Sequence, residues 1–206
     1  MNRTLLIFIM IASAMIIMVI GNRSPDQDAS YTPWDINVLD NGNTRVFGIT
    51  LNKTLLQDAN QILSSFPVNQ FKIDPATQKR YLVAHYNALN FNGLIADIDL
   101  EYKLTPDELN EIIKLAEQDA TLKLPEKNEM KLLGTVIKAI YYRPSIDYNI
   151  DMLLKYFGQP ESDERKDDKI EYWNYPSLGL KIILNHEGQD EFCYTPTVIT
   201  PAPDKK

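Results

Sequence analysis

Apolar and polar positions divide the chain into one unbroken apolar run, a polar bridge and a long series of short periodic segments. Leu5 to Ile20 is apolar at every position except Ser13. It has no polar face, so it does not read as a helix packed on a globular core. Sixteen residues span about 24 Å as a helix, against a bilayer core of roughly 30 Å. The pattern predicts a transmembrane or signal helix over residues 1–21, followed by a linker over 22–33. Arg3 and the α-amino group precede the run, while Arg23, Asp26, Asp28 and Asp35 follow it, so the charge bias places the remainder outside. The expectation is a single-pass inner-membrane protein with its C-terminal domain in the periplasm. Cleavage near Gly21, releasing that domain to the periplasm, is the alternative.

Beyond the linker the pattern alternates between strand and helix periods. Trp34, Ile36 and Val38 alternate with polar residues and predict a strand. A turn at Asp40 to Asn43 and a second strand over Arg45 to Leu51 follow. Thr54 and Gln57 have capping-box spacing ahead of Leu55, Ala59 and Ile62, which predicts a short helix ending near Ser64. Phe71–Ile73, Tyr81–Ala88 and Leu94–Lys103 read as strands, the last two joined at Asn92-Gly93. Thr105-Pro106-Asp107-Glu108 opens a helix through Ala116, and Glu126–Leu133 reads as another. A strand around Val136 to Arg143 and an Asn149-capped helix to Phe157 follow. The hairpin Ile170–Tyr175 with Leu180–Leu184 and a last strand over Glu191–Tyr194 complete the series.

The fold class is α+β, with antiparallel sheet and short helices in two units, 34–124 and 125–198, and a flexible tail over 199–206. The units share a β-α-β-β-β order. At an offset of 95 residues, Thr54, Leu55, Ala59 and Ile62 fall on Asn149, Ile150, Leu154 and Phe157. This predicts an internal repeat.

Composition narrows function by exclusion. With 206 residues and 44% hydrophobic content the chain has enough apolar material for a packed core. A net charge of −7 and no basic block argue against a nucleic-acid partner. The single cysteine, Cys193, excludes paired-cysteine zinc sites and reads as a small buried hydrophobe. No phosphate loop, dinucleotide fingerprint or hydrolase motif occurs, so no cofactor and no catalytic residue is assigned. His85 faces Asp97 and Asp99 on the expected neighbouring strand. That reads as a cross-strand pair, with a metal site as the alternative. Glu161 to Lys169 is charge-dense and reads as a solvated loop or hairpin tip.

The segments Asn149–Pro160 (NIDMLLKYFGQP), Glu171–Tyr175 (EYWNY) and Leu180–Asn185 resemble the SmpA/OmlA small-lipoprotein module and the β-lactamase-inhibitor-protein repeat. The resemblance implies a small α+β repeat with a protein-binding habit. It covers about a quarter of the chain. No cysteine stands directly after the apolar run, so a lipid anchor is not carried over.

Tyr141, Tyr142, Trp173 and Tyr175 lie on predicted strands, where alternate side chains face opposite sides. The outward members are the expected partner contacts. The functional expectation is a membrane-tethered, envelope-facing interaction module, not an enzyme, that binds another envelope protein. An envelope enzyme, or a small-ligand or metal carrier with its site in the cleft between the units, is the alternative.

Overall fold

The computed structural model describes residues 31–74, 77–117 and 126–197. The expected N-terminal helix, most of the linker and the tail lie outside the described residues.

Among the described residues, eleven strands and four α-helices follow one another from Asn37. A small antiparallel sheet contains β1 (Asn37–Val38), β2 (Thr44–Val46) and β3 (Ile49–Thr50). The stretch read as one strand over Arg45 to Leu51 is therefore a hairpin. Its two-residue loop, Phe47-Gly48, has positive φ at both positions, 52° and 75°, as a type I′ turn requires. The turn inserts the Phe47 ring among Phe91, Tyr142 and Tyr194, with centroids 4.8 to 5.9 Å away. Burial of that ring offsets a left-handed conformation that non-glycine residues rarely adopt.

Helix α1 (Leu56–Leu63) then leads to β4 (Val68–Ile73), β5 (Arg80–Phe91) and β6 (Leu94–Tyr102). Helices α2 (Pro106–Ala116) and α3 (Glu126–Leu133) precede β7 (Ile137–Pro144), and α4 (Ile150–Phe157) comes next. The chain closes with β8 (Ser162–Arg165), β9 (Ile170–Tyr175), β10 (Leu180–Asn185) and β11 (Glu191–Tyr194). The charged stretch read as a loop or hairpin tip thus contributes an edge strand, β8, paired from Ser162 with Asn174 to Arg165 with Glu171.

Strands β4 to β11 form one antiparallel sheet in the order β4-β5-β6-β7-β11-β10-β9-β8. It consists of two four-stranded meanders, β4 to β7 and β8 to β11, joined along β7 and β11. That seam pairs Ile140, Tyr141 and Tyr142 with Tyr194, Cys193 and Phe192. Segments 34–124 and 125–198 therefore share a sheet: β7, from the second, pairs with β6, from the first.

Strand alternation decides what each face does. Ala96, Ile98, Leu100 and Tyr102 of β6 point to one side, with Tyr142, Ile182, Phe192 and Tyr194. Helix residues Leu56, Ala59, Ile112, Ala116, Leu153 and Phe157, and Val46, Phe47 and Ile49 of the first hairpin, join them in one core. The intervening residues point to the opposite side.

Among the described residues no helix is long and apolar enough to cross a membrane. The run Leu5–Ile20 lies outside the described residues.

Candidate functional site

The face turned away from the helices carries the polar chemistry. In β6 every second residue from Asp97 to Glu101 is acidic, and the pairing register sets each beside particular neighbours. His85 lies opposite Asp99, and Tyr141 lies opposite Asp99 from the other side. His85 Nδ1 is 2.6 Å from one Asp99 oxygen, and Arg143 Nη2 donates to the other at 2.6 Å. Arg143 Nη1 donates to Glu191 at 2.8 Å, and Lys72 Nζ stands 3.7 Å from Asp99. One ionic chain therefore links five adjacent strands, β4, β5, β6, β7 and β11.

Asp99 is the anchor of this chain, with a side chain only 3% exposed. A carboxylate removed from water that far must be paired and hydrogen-bonded, and three cationic or ionisable partners surround it. Arg143 is itself held among acids: burial acts to lower its pKa, but Asp99 and Glu191 reverse that and raise it further. A second cluster lies beside the first. Tyr141 donates to Glu101 at 2.8 Å and Lys138 to the other oxygen at 2.7 Å. Burial, with Glu191, Glu101 and Asp99 nearby, pushes the Tyr81 phenol up to about 12, so it stays neutral, and its ring lies 5.9 Å from that of Tyr141. Farther along, Lys181 Nζ lies 4.0 Å above the Tyr172 ring, a cation–π contact. Among the described residues, the hydrogen bonds and ion pairs named on this face run from strand to strand.

The histidine and acids singled out from the sequence divide accordingly. His85 and Asp99 meet as a cross-strand pair, but Asp97 does not join them. Its carboxylate accepts the Ala88 N–H at 2.8 Å, where β5 is bulged between Tyr86 and Leu89 and Ala88 has a φ of 50°. Asp99 faces Lys72 and Arg143, cations standing where a metal would have to approach. No group of three or more His, Cys, Asp or Glu among the described residues could hold a metal ion.

A His–Asp pair can orient an imidazole for general-base work, but a nucleophile must then lie within hydrogen-bond reach. Cys193 shares the face and is three strands from His85, roughly 14 Å at ordinary strand spacing. Burial raises its thiol well above the usual range, with Glu191 beside it, so the sulfur stays protonated and weakly nucleophilic.

Compared with known protein families, curated proteins and solved structures, the chain gives no match.

The four expected contact aromatics fall on different sides of the sheet. Tyr142, Trp173 and Tyr175 are 0%, 6% and 2% exposed, in the core beneath the helices. This corrects the expectation that they present a partner face: their alternation places them with Ile98 and Ile182, not with Asp99. Trp173 donates its indole N–H to Glu171 and Tyr175 its hydroxyl to the Gly158 carbonyl, so both polar tips are occupied internally. Tyr141 alone faces the ionic side. The residues missed from sequence were Lys72, Glu101, Arg143 and Glu191. The available signal was the alternate acid spacing in β6, three carboxylates on one face of a single strand.

A cavity of about 520 Å³ lies between the β6–α2 junction and α3, lined by Lys103, Leu104, Ile112, Lys131, Leu132 and Thr135, among others. Its hydroxyls and carboxylate are committed locally. Thr105 and Glu108 bond each other as the cap of α2, and Thr135 donates to the Lys131 carbonyl.

Proposed function

We propose that this protein is a membrane-tethered, envelope-facing interaction module that docks another envelope protein on the strand face carrying Asp99. The observation that supports this most is the ionic chain from Lys72 to Glu191. It fixes a broad face of half-buried tyrosines and charges in one geometry, and preorganised surfaces of this kind bind at lower entropic cost. Tyr81, Tyr141 and Tyr172 supply rigid amphipathic area, while Lys181 and Arg143 supply directional charge. The Leu5–Ile20 run behind Arg3 supports the tether. Two meanders, each opening with a strand that follows a short helix, support the tandem repeat and its resemblance to protein-binding repeats. The cavity beside α3 supports a second reading, a carrier of a small apolar ligand.

A photo-crosslinking residue at Tyr172, compared with one at Asp151 on helix α4, tests the face. Crosslinks to one protein from position 172 alone, reduced at least ~10-fold by Lys181→Glu with an unchanged melting temperature, are expected for a hot-spot contact. Equal crosslinking from both positions, or none that Lys181→Glu alters, would overturn the reading.

A further inference from the structure

The two edges of the large sheet differ in chemistry. Edge β8 presents Ser162, Asp163, Glu164 and Arg165, all exposed, the charge pattern that blocks strand-to-strand association. Edge β4 lacks that protection. Phe66, just before the strand, is 86% exposed, and Val68 and Ile73 are 65% and 60% exposed. The only charged residue in β4, Lys72, is turned inward across β5 to Asp99, so it does not guard the edge.

We infer that β4 is a self-association edge, at which two copies of this chain pair β4 to β4 antiparallel about a two-fold axis. The alternatives within the molecule fail on charge. Pairing β4 with β8 of another copy would bury Asp163, Glu164 and Arg165 against apolar side chains, a costly arrangement, and would grow without closing. Pairing β4 with itself opposes no like charges, because Lys72 is held by Asp99. It also consumes the single apolar edge of each copy, so association closes at two. The exposed parts of Phe66, Val68 and Ile73 amount to on the order of 350 Å² per copy, and the backbone ladder and flanking side chains bring this toward the ~800 Å² of an ordinary stable interface. An antiparallel two-fold of this kind runs perpendicular to the sheet. Both Asp99-bearing faces therefore lie on the same side of one continuous sheet, and residues of like parity oppose each other, centred on Gln70 or Phe71.

The test is the mass of the full-length chain by sedimentation, with Val68→Lys/Ile73→Lys and Gln70→Cys as separate variants. The expected results are a dimer for wild type and a dimer constant weakened at least ~100-fold in the double lysine variant. Gln70→Cys should be joined by a short thiol crosslinker, since residue 70 of the two copies lies directly or diagonally opposite. Wild type, whose single thiol is the half-buried Cys193 four strands from β4, serves as the control for crosslinking at any other position. A monomer at all concentrations, or a dimer that survives both lysines and leaves position 70 uncrosslinked, would overturn the inference. The cysteine variant keeps the test decisive if the lysine variant fails to fold.

Discussion

Arg143 reaches Asp99 diagonally across the β6–β7 pair, at 2.6 Å, with the acid almost wholly enclosed and the guanidinium reaching on to Glu191 across the meander seam. The arginine therefore both neutralises a buried carboxylate and ties the two meanders together. Arg143→Met leaves Asp99 with His85 and a distant Lys72. We expect a loss of about 3 kcal/mol in urea unfolding, the usual result of orphaning a buried charge. Adding Asp99→Asn to that variant should restore part of the loss. A double variant no more stable than Arg143→Met would show that the charge pairing is not what holds this position.

Trp173 sits in the core, against the expectation that it faces a partner. Trp173→Ala should cost about 3–5 kcal/mol, as for other buried aromatics. Tyr172→Ala, one residue away on the opposite face, should cost much less. Thermal melts of the two variants side by side check the facing of β9.

Gly179 and Gly93 both have positive φ, 63° and 94°, but only the first is crowded. A Cβ at Gly179 would collide with the Thr195 carbonyl oxygen and lie 2.7 Å from Thr44 Oγ1, whereas one at Gly93 meets nothing within 4 Å. Gly179→Ala should therefore cost about 3 kcal/mol or more. Gly93→Ala should show only conformational strain, about 1 kcal/mol. Chemical denaturation separates the two.

Asp190 is 5% exposed, and burial raises its pKa above the ordinary 3.8, despite an Asn185 N–H donated to it at 2.9 Å and His186 nearby. Asp147 adds to the rise. An acid with a raised folded pKa stabilises the fold at low pH, and that contribution is lost as pH rises through the folded value. Asp190→Asn keeps an acceptor for Asn185 and removes the ionisation. Its stability advantage over wild type should be larger at pH 7 than at pH 4. Urea unfolding at both pH values checks the sign, and an advantage that shrank on going to pH 7 would contradict it.

Elements whose signals are local were legible in the chain. Thr105 and Glu108 form the reciprocal cap that their spacing announces, Asn149 caps α4 through the Met152 N–H, and Asn92-Gly93 makes the β5–β6 turn. The expected cap at Thr54 did not form. Its hydroxyl instead accepts the Thr50 N–H, and the helix begins two residues later behind Leu55. There the competing hydrogen bond comes from the small sheet, which the sequence window around Thr54 cannot reveal. Strand β8 was missed because exposed edge residues carry no hydrophobic alternation; its pairing with β9 is what makes it a strand. The site was half legible. His85 with Asp99 is a one-strand register away and could be paired from pattern. Arg143 and Glu191 are separated by 48 residues in the chain, and only the closing of the seam brings them together. Assigning Tyr142, Trp173 and Tyr175 to a face required knowing which side the helices cover, a property of the whole sheet and not of any strand.

The hairpin that inserts Phe47 also clasps both ends of the described fold. Tyr31 packs over Gly48, Thr44 donates to the Thr195 carbonyl at 2.9 Å, and Thr197 donates to Gly42 at 2.9 Å. Tyr194 adds a 2.8 Å hydrogen bond to the Pro33 carbonyl. The first and last described residues of the fold thus meet at one small sheet. A circular permutant that joins residue 197 to residue 31 through a short glycine-serine bridge, and opens instead between Asp167 and Asp168 at the exposed tip after β8, should retain the strand pairings of the large sheet and unfold in one cooperative transition.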